Sequence, residues 1–325
     1  MPIQQMLVGI GAAEKFAEAT GGDSVTTVGD YKVHTFTSSG TFTVTQLADT
    51  NEFEVLLVAG GAGPGTQWSS GGGGGGGIIN HQTGQALTQA AYTVTIGGGG
   101  AGSITTSGWP NTTAGNEGSD SSLKLASNNS IVLEADISDI ANLPNTTHSQ
   151  PQANNKYSWN VYFHSTGGNS AKVVNGVTTQ YIGRGGWHQT GYAGGGAGSG
   201  DDGDYVNASN DVVYSYTPSW ATGGVASFGG GGGDGYSTDM VAGSTAYYGG
   251  GGGAGTSANG IPNLTNDTAP GGLGGGGNGS CYGGGGVNAQ NGTANTGGGG
   301  GGGCHGPRGS GNGGSGVAYI KYKFQ

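Results

Sequence analysis

The residues able to carry chemistry are few and scattered. Cys281, Cys304 and His305 bring two thiols and an imidazole into the last part of the chain. A structural zinc site wants four ligands at short paired spacings, so no metal is assigned to them. The two cysteines either form a disulfide or stand as separate small apolar groups among glycines; the sequence leaves both readings open. Asp201, Asp202 and Asp204 make an acidic run with the ligand type for Ca²⁺, and a solvated loop explains them as well. Gly229 to Tyr236 fits one calcium-binding nonapeptide with Asp234 as its acid, but that motif works in tandem copies and none follows. His34, His81, His148, His164, His188 and His305 have no nucleophile or ligand partner near them in sequence. Polyglycine satisfies GxGxxG trivially, and no βαβ context with a downstream acid follows. No GxSxG elbow is present. With charged residues at 9% and no evident paired carboxylates or nucleophile–base pair, neither an enzymatic activity nor a cofactor is expected.

What dominates instead is glycine, 80 of 325 residues, against roughly 7% in an average protein. Collagen needs glycine at every third position with abundant proline. Here glycine comes in solid runs with only 9 prolines, which excludes it. Hydrophobic residues at 32% and strand-like segments between the runs argue against a flexible linker. The formal net charge is −10, and arginine occurs only at positions 184 and 308. Phosphate neutralisation needs clustered Lys and Arg, so no nucleic-acid partner is expected. No stretch approaches the roughly 20 apolar residues of a membrane-spanning helix, and no membrane insertion is expected.

The fold class expected is mainly β, with very little α-helix. Ala12 to Ala19 (AAEKFAEA) is the clearest helical candidate, rich in Ala and Glu and closed by Gly21-Gly22. It would make residues 1–30 an attachment segment. From Tyr31 the pattern turns to strands. Val33 to Thr37 and Thr41 to Thr45 flank Ser38-Ser39-Gly40, a hairpin signal. Phe53 to Val58 reads as a strand buried on both faces. Tyr92, Val94 and Ile96 alternate with threonines, and Tyr157 to Phe163 alternates too. Asn175-Gly176 is the pair favoured by type I′ hairpins. Ala318 to Phe324 alternates at the end of the chain. Both ends of the chain are therefore expected in one β framework spanning 31–325, with 135–192 as a glycine-poor insertion.

The runs between these strands, densest over 193–304, alternate with polar and aromatic inserts. Ordering a glycine costs roughly 0.5–1 kcal/mol more than ordering alanine. So many are retained only where a missing side chain is needed, as when bare backbones pack side by side. Extended polyproline-II-type helices have no internal hydrogen bonds and must bond to neighbours. Packed polyglycine-II helices are therefore expected, with Gly231, Gly251, Gly275 and Gly300 as structural glycines. The inserts would be loops on a rigid base, the usual logic of a binding protein. Tyr214, Tyr216, Trp220, Tyr236, Tyr247 and Tyr248 are the receptor-contact candidates, since Tyr and Trp give contact area at low entropic cost. Sealing the sides of the glycine layer is the other role open to them.

Val33-His34-Thr35-Phe36-Thr37-Ser38-Ser39-Gly40-Thr41-Phe42-Thr43-Val44, then Glu54-Val55-Leu56-Leu57-Val58-Ala59-Gly60-Gly61, resembles the opening of the glycine-rich domain of bacteriophage tail and virion proteins. Tyr92 to Gly100 and Gly314 to Tyr322 resemble its later strands. The run-and-loop design over about 194–303 is more loosely similar to the tip adhesin of T-even-type phages, which carries polyglycine-II helices and binds its receptor through distal loops. The resemblance implies a virion surface protein of tail-fibre or adhesin type. Its partners would be other virion proteins, through the N-terminal segment, and a host cell-surface receptor, protein or polysaccharide. A homo-oligomer, such as a trimer, stays open. The opening lacks the basic n-region of a signal peptide, which fits a virion component that is extracellular after host lysis. A purely structural virion part (head fibre, decoration or fibre shaft protein) and a bacterial surface or matrix protein are the alternatives.

Overall fold

The computed structural model describes residues 14–65, 72–103, 115–136, 168–181, 183, 195–203, 205–206, 212–213, 230–241, 243–255, 268–280, 288–304 and 309–325. Within them the protein is built of strands, with no helix. In chain order these are β1 (Glu18–Gly21), β2 (Ser24–Val28), β3 (Tyr31–Phe36), β4 (Gly40–Gln46), β5 (Phe53–Val58), β6 (Ile79–Gln85), β7 (Ala91–Thr95) and β8 (Ser121–Leu125). There follow β9 (Ile131–Ala135), β10 (Ser170–Val174), β11 (Val177–Tyr181), β12 (Tyr205–Val206), β13 (Val212–Val213), β14 (Tyr236–Thr238), β15 (Ala246–Tyr248) and β16 (Val317–Lys323).

Two sheets face each other. One has the order β1-β4-β7-β8-β9 and the other β11-β10-β6-β5-β16-β3-β2. The alternation that marks half-buried strands puts Phe42, Val44, Tyr92, Val94 and Leu123 of the first sheet against Phe36, Phe53, Val55, Leu57, Ile320 and Tyr322 of the second. Phe36, Phe42 and Phe53 meet edge to face, and Phe53 leans on Tyr322. β5 is apolar on both faces because the outer face of its sheet is covered too. There Leu56 and Val58 join Val33, Ile79, Val317, Tyr319, Met240 and Tyr248. The β14–β15 hairpin and its turn supply that cover.

Two expectations fail here. Glu14 to Ala17 form no regular element, and Glu18 and Ala19 belong to β1, so the helix over Ala12 to Ala19 is not formed in its described part. A short helix is marginal without a partner surface. This segment instead pairs with β4, Glu18 opposite Gln46, and buries Ala17 between the sheets. Nor do β3 and β4 form a hairpin. β3 pairs with β2 and β16, while β4 pairs with β1 and β7, so the Ser38-Ser39-Gly40 turn carries the chain from one sheet to the other. Residues 18–28 thus belong to the sandwich. The Asn175-Gly176 hairpin forms as expected, with φ of 48° and 77° joining β10 to β11. The segment Tyr157 to Phe163 lies outside the described residues.

Beyond one end of the sandwich lies the glycine layer. β5 runs into it at Ala59, β6 leaves it at Ile78, and β16 leaves it at Gly316. Its segments have neither helical nor ladder bonding, yet their amides are paired with other segments. Gly250 and Gly253 donate to Gly274 and Gly277, Gly251 and Ala254 to Gly233 and Gly230, and Gly252 to Gly74, all at 2.8–3.0 Å. In the same way Ser310, Gly313 and Gly316 donate to Ser103, Gly100 and Gly97, while Gly311 and Gly314 donate to Gly301 and Gly298. Along these two segments the partner changes from one residue to the next, and the first partner segment recurs three residues on. Residues 297–303 are enclosed on all sides: they exchange bonds with 62, 74–77, 250–253, 277–280, 290 and 311–315. Ser121 Oγ ties this layer to the sandwich, accepting Gly97 N–H and donating to the Val58 carbonyl at 2.9 and 2.7 Å.

Candidate functional site

The glycine layer explains itself residue by residue. A Cβ placed on Gly251 would overlap the backbone of Gly196 and Ala197, and one on Gly300 the backbone of Gly311. Gly275 is different in kind: it has φ +92° and its Cβ would lie 2.9 Å from that of Thr296. Gly231 supplies the carbonyl that blocks any side chain on Gly195. Among the six aromatic candidates, Tyr214, Tyr216 and Trp220 lie outside the described residues, as do Cys281, Asp204 and His305. Cys304 is buried.

Tyr236, Tyr247 and Tyr248 come together on the β14–β15 hairpin, Tyr236 opposite Tyr248. Strand alternation then sends them to different places. Tyr248 is buried and its hydroxyl donates to the Tyr319 hydroxyl at 3.0 Å. Burial raises both phenols far from ionisation. Tyr248 therefore seals the hairpin onto the sheet. Tyr247 points outward, 38% exposed. Tyr236 does something no sequence spacing announces: its hydroxyl lies 2.8 Å from His81 Nδ1.

That contact opens a polar row across the outer face of the larger sheet. His81 Nε2 lies 3.0 Å from Glu54 Oε1, and Glu54 Oε2 lies 2.9 Å from Lys321 Nζ. The His81 bond, with help from Lys321, holds the Glu54 carboxyl below its usual range despite burial. Glu54 thus acts as an acceptor. In the neutral imidazole Nε2–H donates to it, and Nδ1 accepts from the Tyr236 hydroxyl. Lys321 Nζ also sits 4.9 Å over the Tyr31 ring. On the other side Lys172 Nζ lies between two rings, 5.4 Å from Tyr181 and 5.6 Å from Tyr236. Burial raises the Tyr236 phenol, and the charges of Glu54 and Asp239 add to this. The hydroxyl therefore stays protonated and available as a donor, a poor nucleophile at neutral pH.

A second polar contact lies inside the sandwich. His34 Nδ1–H donates to the Gly21 carbonyl at 2.7 Å, and Nε2 lies 3.2 Å from the Tyr322 hydroxyl. Burial is the main cause lowering its affinity for a proton. No group of three or more His, Cys, Asp or Glu among the described residues is placed to hold a metal ion. No described helix is long and apolar enough to cross a membrane.

No curated protein shows a significant match to the sequence. A family defined as a glycine-rich domain matches residues 37–323, from the turn between the sheets to the end of β16. That span takes in the central strands and the glycine layer alike, so the chain belongs to the glycine-rich domain family.

Proposed function

We propose that this chain is a non-enzymatic surface protein of a bacteriophage virion, of tail-fibre or adhesin type. It binds a host surface receptor through segments displayed on a glycine-built base. The observation that carries the reading is the backbone-to-backbone bonding of the glycine layer, in which amide partners recur at every third residue. Three residues per turn is the period of a polyproline-II-type helix, and it supports packed polyglycine-II helices. Such a base orders glycine without using side chains for cohesion. Its inserts are then free to vary, the arrangement in which loops on a rigid scaffold carry binding residues. The resemblance of the strand segments around 33–61, 92–100 and 314–322 to phage tail and virion proteins supplies the virion context.

Adsorption competition tests the proposal. Purified chain should bind host cells and slow adsorption of the phage that carries it. Failure of both, with the chain found on particles by electron microscopy, would leave a structural virion role in its place. Release of reducing sugar from host polysaccharide by the pure chain would overturn the non-enzymatic part.

A further inference from the structure

The larger sheet ends on β2, and β2 is built unlike the other edges. Ser24-Val25-Thr26-Thr27-Val28 has no charged residue, no proline and no register shift against β3. Its first four residues are exposed, Val25 at 49%. An edge strand presents unpaired N–H and C=O groups, and folded proteins blunt it with charge, proline or a bulge. β1 follows that rule, with Glu18 and a register shift beside it. So does β9, which carries Glu134 and has a shift in its ladder to β8. β11 is uncharged too, but its Gln180 is already engaged. β2 has neither device, and no described residue outside β3 bonds to its strand backbone. The turn decides which groups are free. Gly29-Asp30 joins Val28 to Tyr31 as a two-residue hairpin, so Val28 and Tyr31 are a bonded pair and bonded pairs alternate from there. Val28 and Thr26 spend their backbone groups on β3. Those of Val25 and Thr27 point away from the sheet.

We infer that β2 is a homodimer interface: two copies of this chain pair edge to edge and antiparallel, about a two-fold axis at Thr26. The inference stands apart from the receptor-binding reading. The register follows from the free groups. Setting Val25 opposite Thr27 of the second copy, and Thr27 opposite its Val25, uses every outward N–H and C=O on both strands. Registers shifted by two residues leave Val25 or Thr27 beyond the paired strand. The chosen register puts Thr26 opposite Thr26, and threonines facing each other across strands stabilise the pair. Val25 gains the second copy's Thr27 as a neighbour. A second copy is selected because β2 is uncharged along its whole length, so the strand meets itself without like charges opposed. Two-fold pairing is also closed. It consumes both free edges at once, which accounts for an edge that carries neither charge nor bulge.

The test uses the full chain. Sedimentation over a concentration series should show monomer giving way to dimer and to nothing larger. The net charge of −10 on each copy opposes association and is screened by salt, so the dimer should strengthen as salt is added. Val25→Pro removes an N–H that points away from the sheet, a placement that edge strands tolerate, and should weaken the dimer about tenfold. Thr26→Lys sets like charges opposite each other across the axis and should weaken it about fivefold. Its side chain is exposed, so the melting midpoint should not move, and this variant guards against a proline variant that fails to fold. Thr26→Cys should give a disulfide-linked dimer under mild oxidant more readily than wild type. Residues opposed in a non-bonded antiparallel pair lie about 4.5 Å apart at Cα, within disulfide reach. Monomer at every concentration overturns the pairing and leaves the edge to an extended segment of another protein. A trimer, a dimer that salt dissolves, or a dimer unchanged by Val25→Pro and Thr26→Lys overturns it as well.

Discussion

At the residue scale, glycine is required in this protein for two separate reasons, and they can be told apart. Gly251 and Gly300 are packed glycines: a methyl group there meets backbone, with the Gly311 carbonyl carbon 2.7 Å from a Cβ on Gly300. Overpacking costs about 1–3 kcal/mol, and backbone cannot swing aside as a side chain can. Gly251→Ala and Gly300→Ala should therefore fall at or above the top of that range. Gly98 is the control. A Cβ there meets only Ser119 Oγ, at 3.8 Å. Gly98→Ala should be neutral, or stabilising by about 0.4–1 kcal/mol through the unfolded chain. Equal melting midpoints for all three variants would contradict the packed layer. His34 gives a pH prediction. Its folded form resists protonation below its ordinary value of 6.5, mainly because it is buried, while in the unfolded chain it takes the proton. Stability is then complete above about pH 6.5 and is lost as pH falls from there towards the lowered folded value. Glu54 and Asp23 act in the same direction but start lower, from ordinary values of 4.5 and 3.8. Chemical denaturation at pH 7.5 and 5.5 should show wild type losing stability where His34→Gln loses less. Parallel losses would remove His34 as the cause.

At the element scale, strands were readable where alternation or continuous apolarity reported burial directly. β5, β7 and β16 fall where Phe53 to Val58, Tyr92 to Ile96 and Ala318 to Phe324 put them, within a residue or two. Glu18 and Ala19 were misread because helix propensity is a weak prior against an available strand partner, and β4 lies 25 or so residues away in the chain. The turn at Ser38-Ser39-Gly40 misled because a change of sheet and a hairpin use the same turn residues. At Asn175-Gly176 the local signal was stronger, since both residues must take positive φ. Asn175 does more than tolerate it: its Oδ1 accepts Thr83 N–H at 2.8 Å and the Thr83 hydroxyl at 3.1 Å. This fixes the tip of the hairpin beyond the parallel pairing of β10 with β6. Asn175→Ala should cost about 1–2 kcal/mol from the left-handed conformation alone, and more with the lost bonds. Asn175→Gly should recover the conformational part and leave the rest, a split that urea melts of the two variants would measure.

At the scale of the whole molecule, the glycine content showed in advance that backbones must pack, but not which segments would be neighbours. Gly74 donates to Gly300 and accepts from Gly252, and nothing in a run of identical residues encodes such a choice. The polar row was hidden for a related reason. Glu54, His81 and Tyr236 are separated by 27 and 155 residues, and only the strand order brings them together. The layer and the sandwich share chain at Val58–Ala59, Gly77–Ile78 and Gly316–Val317, and Ser121 bridges them. They should therefore open together. Amide hydrogen exchange reads this directly, because protection follows the free energy of the opening that exposes each N–H. Residues 250–254 and 299–302 are central, with amides bonded to 74, 230, 233, 274 and 277, and to 62, 250, 253 and 290. They lack strands or helices, so a flexible-linker reading predicts exchange at the rate of unstructured peptide. The packed layer predicts the reverse: protection in these glycines matching that of β5 and β16, and loss of both in one step as denaturant is added. Protection confined to the strands, with the runs exchanging freely, would mean that the hydrogen bonds between runs do not persist in solution. The inserts would then have no rigid base.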